Sequence, residues 1–239
     1  IPYDPSTGIG SSPNGTSARY GNKGYDIVMG PSYPIANFSG IVEWNIDPIN
    51  YTITWGNSYL ATPNQAWGSG MCSKNATRLI LAEQDVEEVV LNPNGTLTQN
   101  YLFSLPTNYS CTGDLIYRAV DDTIVISAHS VISGVITAEI FHFDMNGTIL
   151  SQLDVTSTSG ATLITMFCSG GNIFGAASNK LYKIETYPLN MSVHQSPYSL
   201  GSPSGGDGGT SPECCNAVVP PQPDPCDYSV GDIGPGGGI

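Results

Sequence analysis

Between residues 24 and 196 apolar and polar side chains alternate with a period of two in short runs, the spacing of strands with one face in a core and the other in water. Tyr25-Asp26-Ile27-Val28-Met29 is the first run, and Gly40 to Ile46 with Tyr51 to Trp55 reads as a hairpin. A second group holds Arg78 to Leu81, Val86 to Leu91 and Thr96 to Phe103. A third holds Leu115 to Tyr117, Thr123 to Ala128, Val135 to Phe143 and Thr148 to Val155, and a fourth Asn172 to Phe174, Lys180 to Ile184 and Met191 to His194. β-branched residues fill these runs, Gly, Asn and Pro punctuate them, and no longer stretch carries a helical stripe. The pattern predicts an all-β fold.

The runs repeat. Four times an apolar strand ends in an acid or amide, turns, and re-enters strand through Asn-x-Ser/Thr: Asp47 with Asn50, Asn92 with Asn94, Asp144 with Asn146, and Glu185 with Asn190. From 47 to 92 is 45 residues, from 92 to 144 is 52, and from 144 to 185 is 41. A period of that length means one supersecondary unit stacked on copies of itself. A second marker precedes an apolar strand in three units: Cys72-Ser73, Cys111-Thr112-Gly113 and Cys168-Ser169-Gly170, each read as a turn with a buried cysteine.

Units of three or four short strands joined as meanders resemble β-propeller blades. The segments Ala138 to Ile149 and Lys180 to Thr186 resemble inner hairpins of the degenerate YVTN and WD-like families, with no Trp-Asp or Gly-His signature. The expected architecture is about four blade-like repeats over 24–199, an extended N-terminal arm over 1–23, and a Gly/Pro/Cys-rich tail over 200–239. An open stack and a β-sandwich are the competing arrangements. The tail runs from a linker (Gly201 to Thr210) into Val218 to Cys226, rich in Pro, with no Lys or Arg after Lys183. Such a segment orders only when disulfides or a neighbouring subunit hold it. Its end, Tyr228 to Ile239, resembles a GD-x-GP-x-GGI stretch of phage tail-fibre-like and bacterial surface proteins. The start, Ile1-Pro2-Tyr3-Asp4, has no Met and no apolar leader, so the expectation is a removed signal peptide or a piece of a longer chain.

Charge narrows the partners. Asp, Glu, Lys and Arg make up 11% of the 239 residues, against about 25% in ordinary soluble domains. Twenty acids against seven bases leave a net charge of −13. That argues against nucleic acid and against an anionic membrane surface, and no apolar run is long enough for a membrane span.

Six cysteines, Cys72, Cys111, Cys168, Cys214, Cys215 and Cys226, form an even set without a Cys-x-x-Cys pair. Disulfides therefore fit better than zinc. If two of the first three pair with each other, the third has to reach the tail. Eight sequons, at Asn14, Asn37, Asn50, Asn75, Asn94, Asn108, Asn146 and Asn190, stand among seventeen asparagines, where roughly three to four would arise by chance. The type I′ hairpin chemistry of Asn-Gly explains Asn14, Asn94 and Asn146, but not Asn50, Asn108 or Asn190.

No catalytic constellation is present as a motif: no nucleophile elbow, zincin helix, P-loop or dinucleotide fingerprint. Asp144-x-Asn146-Gly147 is a fragment of a calcium loop that hairpin chemistry explains better. Asp121-Asp122 and Glu87-Glu88 read as solvated turn and edge carboxylates, and His129 and His142 as structural. Trp44, Trp55 and Trp67 are resources for packing or for sugar stacking. The sequence thus leads to the expectation of a non-enzymatic extracellular structural subunit of a filament or of a virion or cell-surface appendage, glycosylated and assembling with copies of itself through its terminal extensions. No catalytic residue, cofactor or metal is expected, nor any nucleic-acid partner or membrane insertion. The alternative is a carbohydrate-binding, propeller-like adhesin. A secreted hydrolase ranks third.

Overall fold

A computed structural model describes residues 10–11, 17–29, 39–60, 70–169 and 171–195. They form four antiparallel sheets, each built mainly by sequence-adjacent strands. The first holds β1 (Gly10–Ser11), β2 (Ser17–Tyr20), β3 (Lys23–Met29), β4 (Ser39–Asp47) and β5 (Thr52–Leu60). The second holds β6 (Gly70–Asn75), β7 (Arg78–Ala82), β8 (Asp85–Leu91) and β9 (Leu97–Ser104). The third runs β10 (Tyr109–Arg118), β11 (Thr123–Ile132), β12 (Val135–Asp144) and β13 (Ile149–Asp154). After a single helical turn, α1 (Val155–Ser159), the fourth holds β14 (Thr165–Ser169), β15 (Asn172–Ala177), β16 (Lys180–Thr186) and β17 (Leu189–Gln195). The sheets touch through β2, β6, β10 and β14 in turn. This is a four-bladed β-propeller arrangement, the all-β repeat fold that the period predicts.

Two boundaries differ from the sequence reading. The blade domain begins before residue 24, because Ser17–Tyr20 pairs with Lys23–Asp26 and supplies the strand that meets the second blade. A four-residue strand with one buried apolar side chain, Ala18, is too short to show a period. The cysteine markers are also not turns. Cys72, Cys111 and Cys168 lie within β6, β10 and β14, the innermost strands, where Ser, Thr and Gly neighbours dilute the apolar signal.

In the first three blades the turn that opens the fourth strand rests on the acid or amide seen in the sequence; in the fourth, Glu185 lies within β16 and the turn is Tyr187-Pro188. In the second and third blades the turn is the same. Gly95 N–H donates to Asn92 O at 3.0 Å and Gly147 N–H to Asp144 O at 3.1 Å, and the strands close through Thr96 O and Thr148 O. Only the glycines have positive φ, +78° at Gly95 and +85° at Gly147. The turn is therefore type I with a glycine bulge, not the type I′ turn expected from Asn-Gly. Asp144 Oδ1 accepts from the backbone of Asn146 and Thr148, so the calcium-loop fragment is hairpin chemistry. Asp47 repeats the device, accepting from the backbone of Ile49 and Asn50.

The core lies between blades. Tyr25, Ile27, Ile41 and Tyr59 pack on Met71, Leu79, Leu81 and Val89 between the first and second blades. Ile80, Val86 and Phe103 meet Leu115, Ile124, Ile126, Phe141 and Phe143 between the second and third. Ile116, Val125 and Ile140 meet Ile164, Met166, Ile173 and Ile184 between the third and fourth. Closing four blades into a ring takes a fourth such core, and three are present among the described residues. The remaining cluster is Val42 with Trp44, on the face of the first sheet turned away from the second blade.

Candidate functional site

Antiparallel meanders put the first-to-second and third-to-fourth turns of every blade at one end, and the remaining connections at the other. The first end gathers most of the charge. At the tip of β6, Lys74 Nζ lies 3.3 Å from Asp122 Oδ1 and 3.8 Å from Glu88 Oε1, and 5.3 Å above the Tyr117 ring. Arg78 Nη1 donates to Glu88 Oε2 at 2.7 Å. Tyr117 Oη donates to Asp122 Oδ1 at 2.8 Å, and burial, followed by this bond, pushes the phenol well above its ordinary range.

Asp121 extends this network to the fourth blade. Its Oδ2 accepts from Tyr187 Oη at 2.7 Å and from Arg118 Nη2 at 3.1 Å, and its Oδ1 accepts from Thr123 Oγ1 at 2.7 Å. Partial burial opposes the charge, but the Arg118, Tyr187 and Thr123 donors outweigh it and hold the carboxyl below the ordinary value. Thr123 Oγ1 also lies 2.9 Å from His142 Nε2. The single hydroxyl proton goes to Asp121, so His142 donates through Nε2–H. Burial, then the nearby Arg118 charge, lowers the His142 pKa. The imidazole is fully buried, so it is the neutral ring that sits between the blades.

The paired carboxylates are thus not merely solvated. Asp121 and Asp122 tie three blades together, and buried Glu88 is held by two cations while Glu87 accepts from Gln99 on the neighbouring strand. The sequence could not show this, because every partner is at least ten residues away except within the segment from Tyr117 to Thr123. What the arrangement does chemically is fix charge: both Asp121 oxygens and the Nε2 proton are already committed. Tyr187 is its exposed member, 62% accessible, after which a cis peptide bond leads to Pro188.

At the opposite end a shallow pocket of about 340 Å³ lies by the β7–β8 turn, lined by Glu83, Asp85, Glu87 and Ser110 among others. Asp85 accepts there from Ser104 Oγ at 2.6 Å. Among the described residues no group of three or more His, Cys, Asp or Glu side chains could hold a metal, and no helix is long and apolar enough to cross a membrane.

The outward face of the first sheet is the other unusual surface. Trp44 and Trp55 meet edge to face at 4.4 Å across β4 and β5, and Trp44 Nε1 donates to Asp26 Oδ2 at 2.6 Å. Trp44 is buried, whereas Trp55 is 41% and Ile53 67% exposed. Tyr51, in the turn that precedes β5, is also exposed. The outward face of the fourth sheet carries Phe167 stacked on Phe174 at 5.7 Å, with His194 against Phe174. Trp67 lies outside the described residues.

Of the disulfide candidates, Cys72 and Cys111 carry thiols in the core between the second and third blades, and burial raises the Cys72 pKa well above its ordinary range. Their pairing, allowed in the sequence reading, is not made. Cys168 is disulfide-bonded. Cys214, Cys215 and Cys226 lie outside the described residues, as do Asn14 and Asn37. Asn50, Asn94, Asn146 and Asn190 stand exposed at the four third-to-fourth turns, Asn75 half-buried at the β6–β7 turn, and Asn108 exposed at the opposite end. His129 is half-buried in β11.

No family model and no curated protein matches this chain. Among solved structures it is similar to the periplasmic gluconolactonase of Pseudomonas aeruginosa, at 8% identity and TM-score 0.42, covering 76% of this chain and 55% of that one. It is also similar to prolyl oligopeptidase B from Galerina marginata, at 9% identity and TM-score 0.44, covering 72% and 25%. A third is a subtype N11 neuraminidase-like protein of A/flat-faced bat (H18N11), at 12% identity and TM-score 0.40, covering 80% and 58%. The chain spans less than two thirds of each of these proteins. The expectation of a non-enzyme is corrected by this finding: two of the three similar structures, the gluconolactonase and the prolyl oligopeptidase, are enzymes by name. The likeness reaches the blade arrangement alone and assigns no reaction.

Proposed function

We propose that this chain is an extracellular structural subunit of a filament or surface appendage. It joins copies of itself through the outward faces of its first and fourth sheets, with its terminal extensions completing the contact. One observation carries this reading: among the described residues four blades share three cores, and the remaining face of the first sheet carries Ile53 and Trp55 at alternate positions of β5 with Trp44 across from Trp55. A head-to-tail contact of first face on fourth face is heterologous and propagates unless it closes into a ring. The disulfide at Cys168 supports an oxidising, extracellular setting.

The test is the mass of the full chain by light scattering, with and without reductant, beside an I53S/W55S variant. The expected result is assemblies that the double substitution disperses. A 25.2 kDa monomer at every concentration would sink the reading. A second reading, carbohydrate recognition, is favoured by the exposed Tyr187 ring, with Arg118 5.7 Å from its centroid. A Tyr187→Ala change that abolishes binding to a glycan array would support it.

A further inference from the structure

The outer strands pose a problem of their own. β5, β9, β13 and β17 are the outer strands of the four blades, with no further strand paired to them among the described residues, and across Thr52–Leu60, Leu97–Ser104, Ile149–Asp154 and Leu189–Gln195 Asp154 is the one charged residue. Most of their side chains are exposed. Unpaired edges without Lys, Glu or Pro are templates for strand pairing between molecules, and proteins ordinarily interrupt them. Here the charges sit one strand further in, as Glu43, Glu87, Glu88, Glu139, Lys183 and Glu185. A register irregularity between the third and fourth strands of every blade twists the edge, which blunts it in part.

At the entrance to each of these four edges stands a sequon asparagine, and all four are exposed: Asn50, Asn94, Asn146 and Asn190. Thr96 Oγ1 donates to Asn94 Oδ1 at 2.7 Å, so the turn itself has a use for that hydroxyl. The described hydrogen bonds give Thr52, Thr148 and Ser192 no such side-chain bond to their asparagines. We propose that these four asparagines carry N-linked glycans, and that the sugar guards the uncharged outer edges in place of charge. The proposal rests on the extracellular route of the preceding reading, but not on assembly through the sheet faces. The donor is a polyprenyl-diphosphate-linked oligosaccharide. A bond forms between the sugar C1 and Asn Nδ2, the C1–O bond to the diphosphate breaks, the lipid diphosphate leaves with the electron pair, and Nδ2 gives up one proton to the transferase.

The arrangement also divides the molecule. Sugar at the four turns crowds the end that carries the Asp121 and Asp122 network. It leaves the opposite end, where Asn108 is the one described sequon, and the sheet faces open to other contacts.

The test produces the full chain through a eukaryotic secretory route and maps glycopeptides by mass spectrometry with and without an amidase that removes N-glycans. Sugar is expected at all four positions on most chains. Aggregation is then compared in the I53S/W55S background, which removes the face contact, between the glycosylated chain, a T52A/T96A/T148A/S192A variant and an N50Q/N94Q/N146Q/N190Q variant. Both unglycosylated forms should fold, by circular dichroism, and show a several-fold larger aggregated fraction with a β-fibre signature. Unmodified asparagines, or sugar whose loss leaves aggregation unchanged, would overturn the proposal. The map is read on denatured peptides, so it stands or falls apart from the self-assembly reading.

Discussion

The first sheet has two faces made from alternate residues of the same strands, and they meet different fates. Tyr25, Ile27 and Ile41 point to the second blade and are buried, while on the other face Ile53 is largely and Trp55 partly exposed, with Trp44 buried beneath. Both faces carry apolar residues, so composition alone does not distinguish them. What differs, among the described residues, is whether a neighbouring sheet packs on the face, and strand alternation cannot encode that.

The sharpest way to break the comparison is to empty an occupied core. Phe141→Ala, at a fully buried ring that packs on Tyr109 and Phe143, should cost about 3–5 kcal/mol in urea unfolding. A smaller loss would mean the second and third blades repack independently. Gly147→Ala strikes the same core from its rim: the new Cβ would lie 2.5 Å from Phe103 Cβ at a φ of +85°. It should cost about 2 kcal/mol. Gly134→Ala, at φ +80° with no atom within 4 Å, carries the backbone strain alone and should cost about 1 kcal/mol. Equal losses at the two glycines would show that Phe103 yields freely.

On the outward face, Trp55→Ala removes one ring of the edge-to-face pair and should lower monomer stability by only about 1 kcal/mol, while reducing assembly mass. A loss as large as that of Phe141→Ala would show that this face is already a core.

The smallest effect is one of pH. His142 is buried with its pKa below the ordinary 6.5, so its contribution is complete above that value and is lost as pH falls from 6.5 towards the folded value. Urea midpoints should decline over that interval, and His142→Asn, which keeps a donor for Thr123, should flatten the decline. An unchanged slope would place the pH dependence elsewhere.

Much of the candidate site was hidden in the sequence for a stated reason. The Asp121-Asp122 pair was visible, but its partners Lys74 and Tyr187 come from other blades, and nothing local marks them. The inner strands were missed where Ser, Thr and Cys replace branched apolar residues, as at Cys72-Ser73 and Cys111-Thr112. The turns were found, but their type was misassigned, because Asn-Gly serves a glycine bulge as readily as a type I′ turn.

By itself the sequence determined the strands, their grouping into four units, and the acid or amide that opens the third-to-fourth turn in three of them. These are local properties: side-chain alternation, β-branching and Asx hydrogen bonds all act within a few residues. Only the tertiary structure decided which sheet faces share a core, that Cys72 and Cys111 remain thiols there, and that Asp121, Thr123, His142 and Tyr187 converge. Those outcomes depend on side chains distant along the chain meeting across blades, at distances set by packing rather than by any neighbour in sequence.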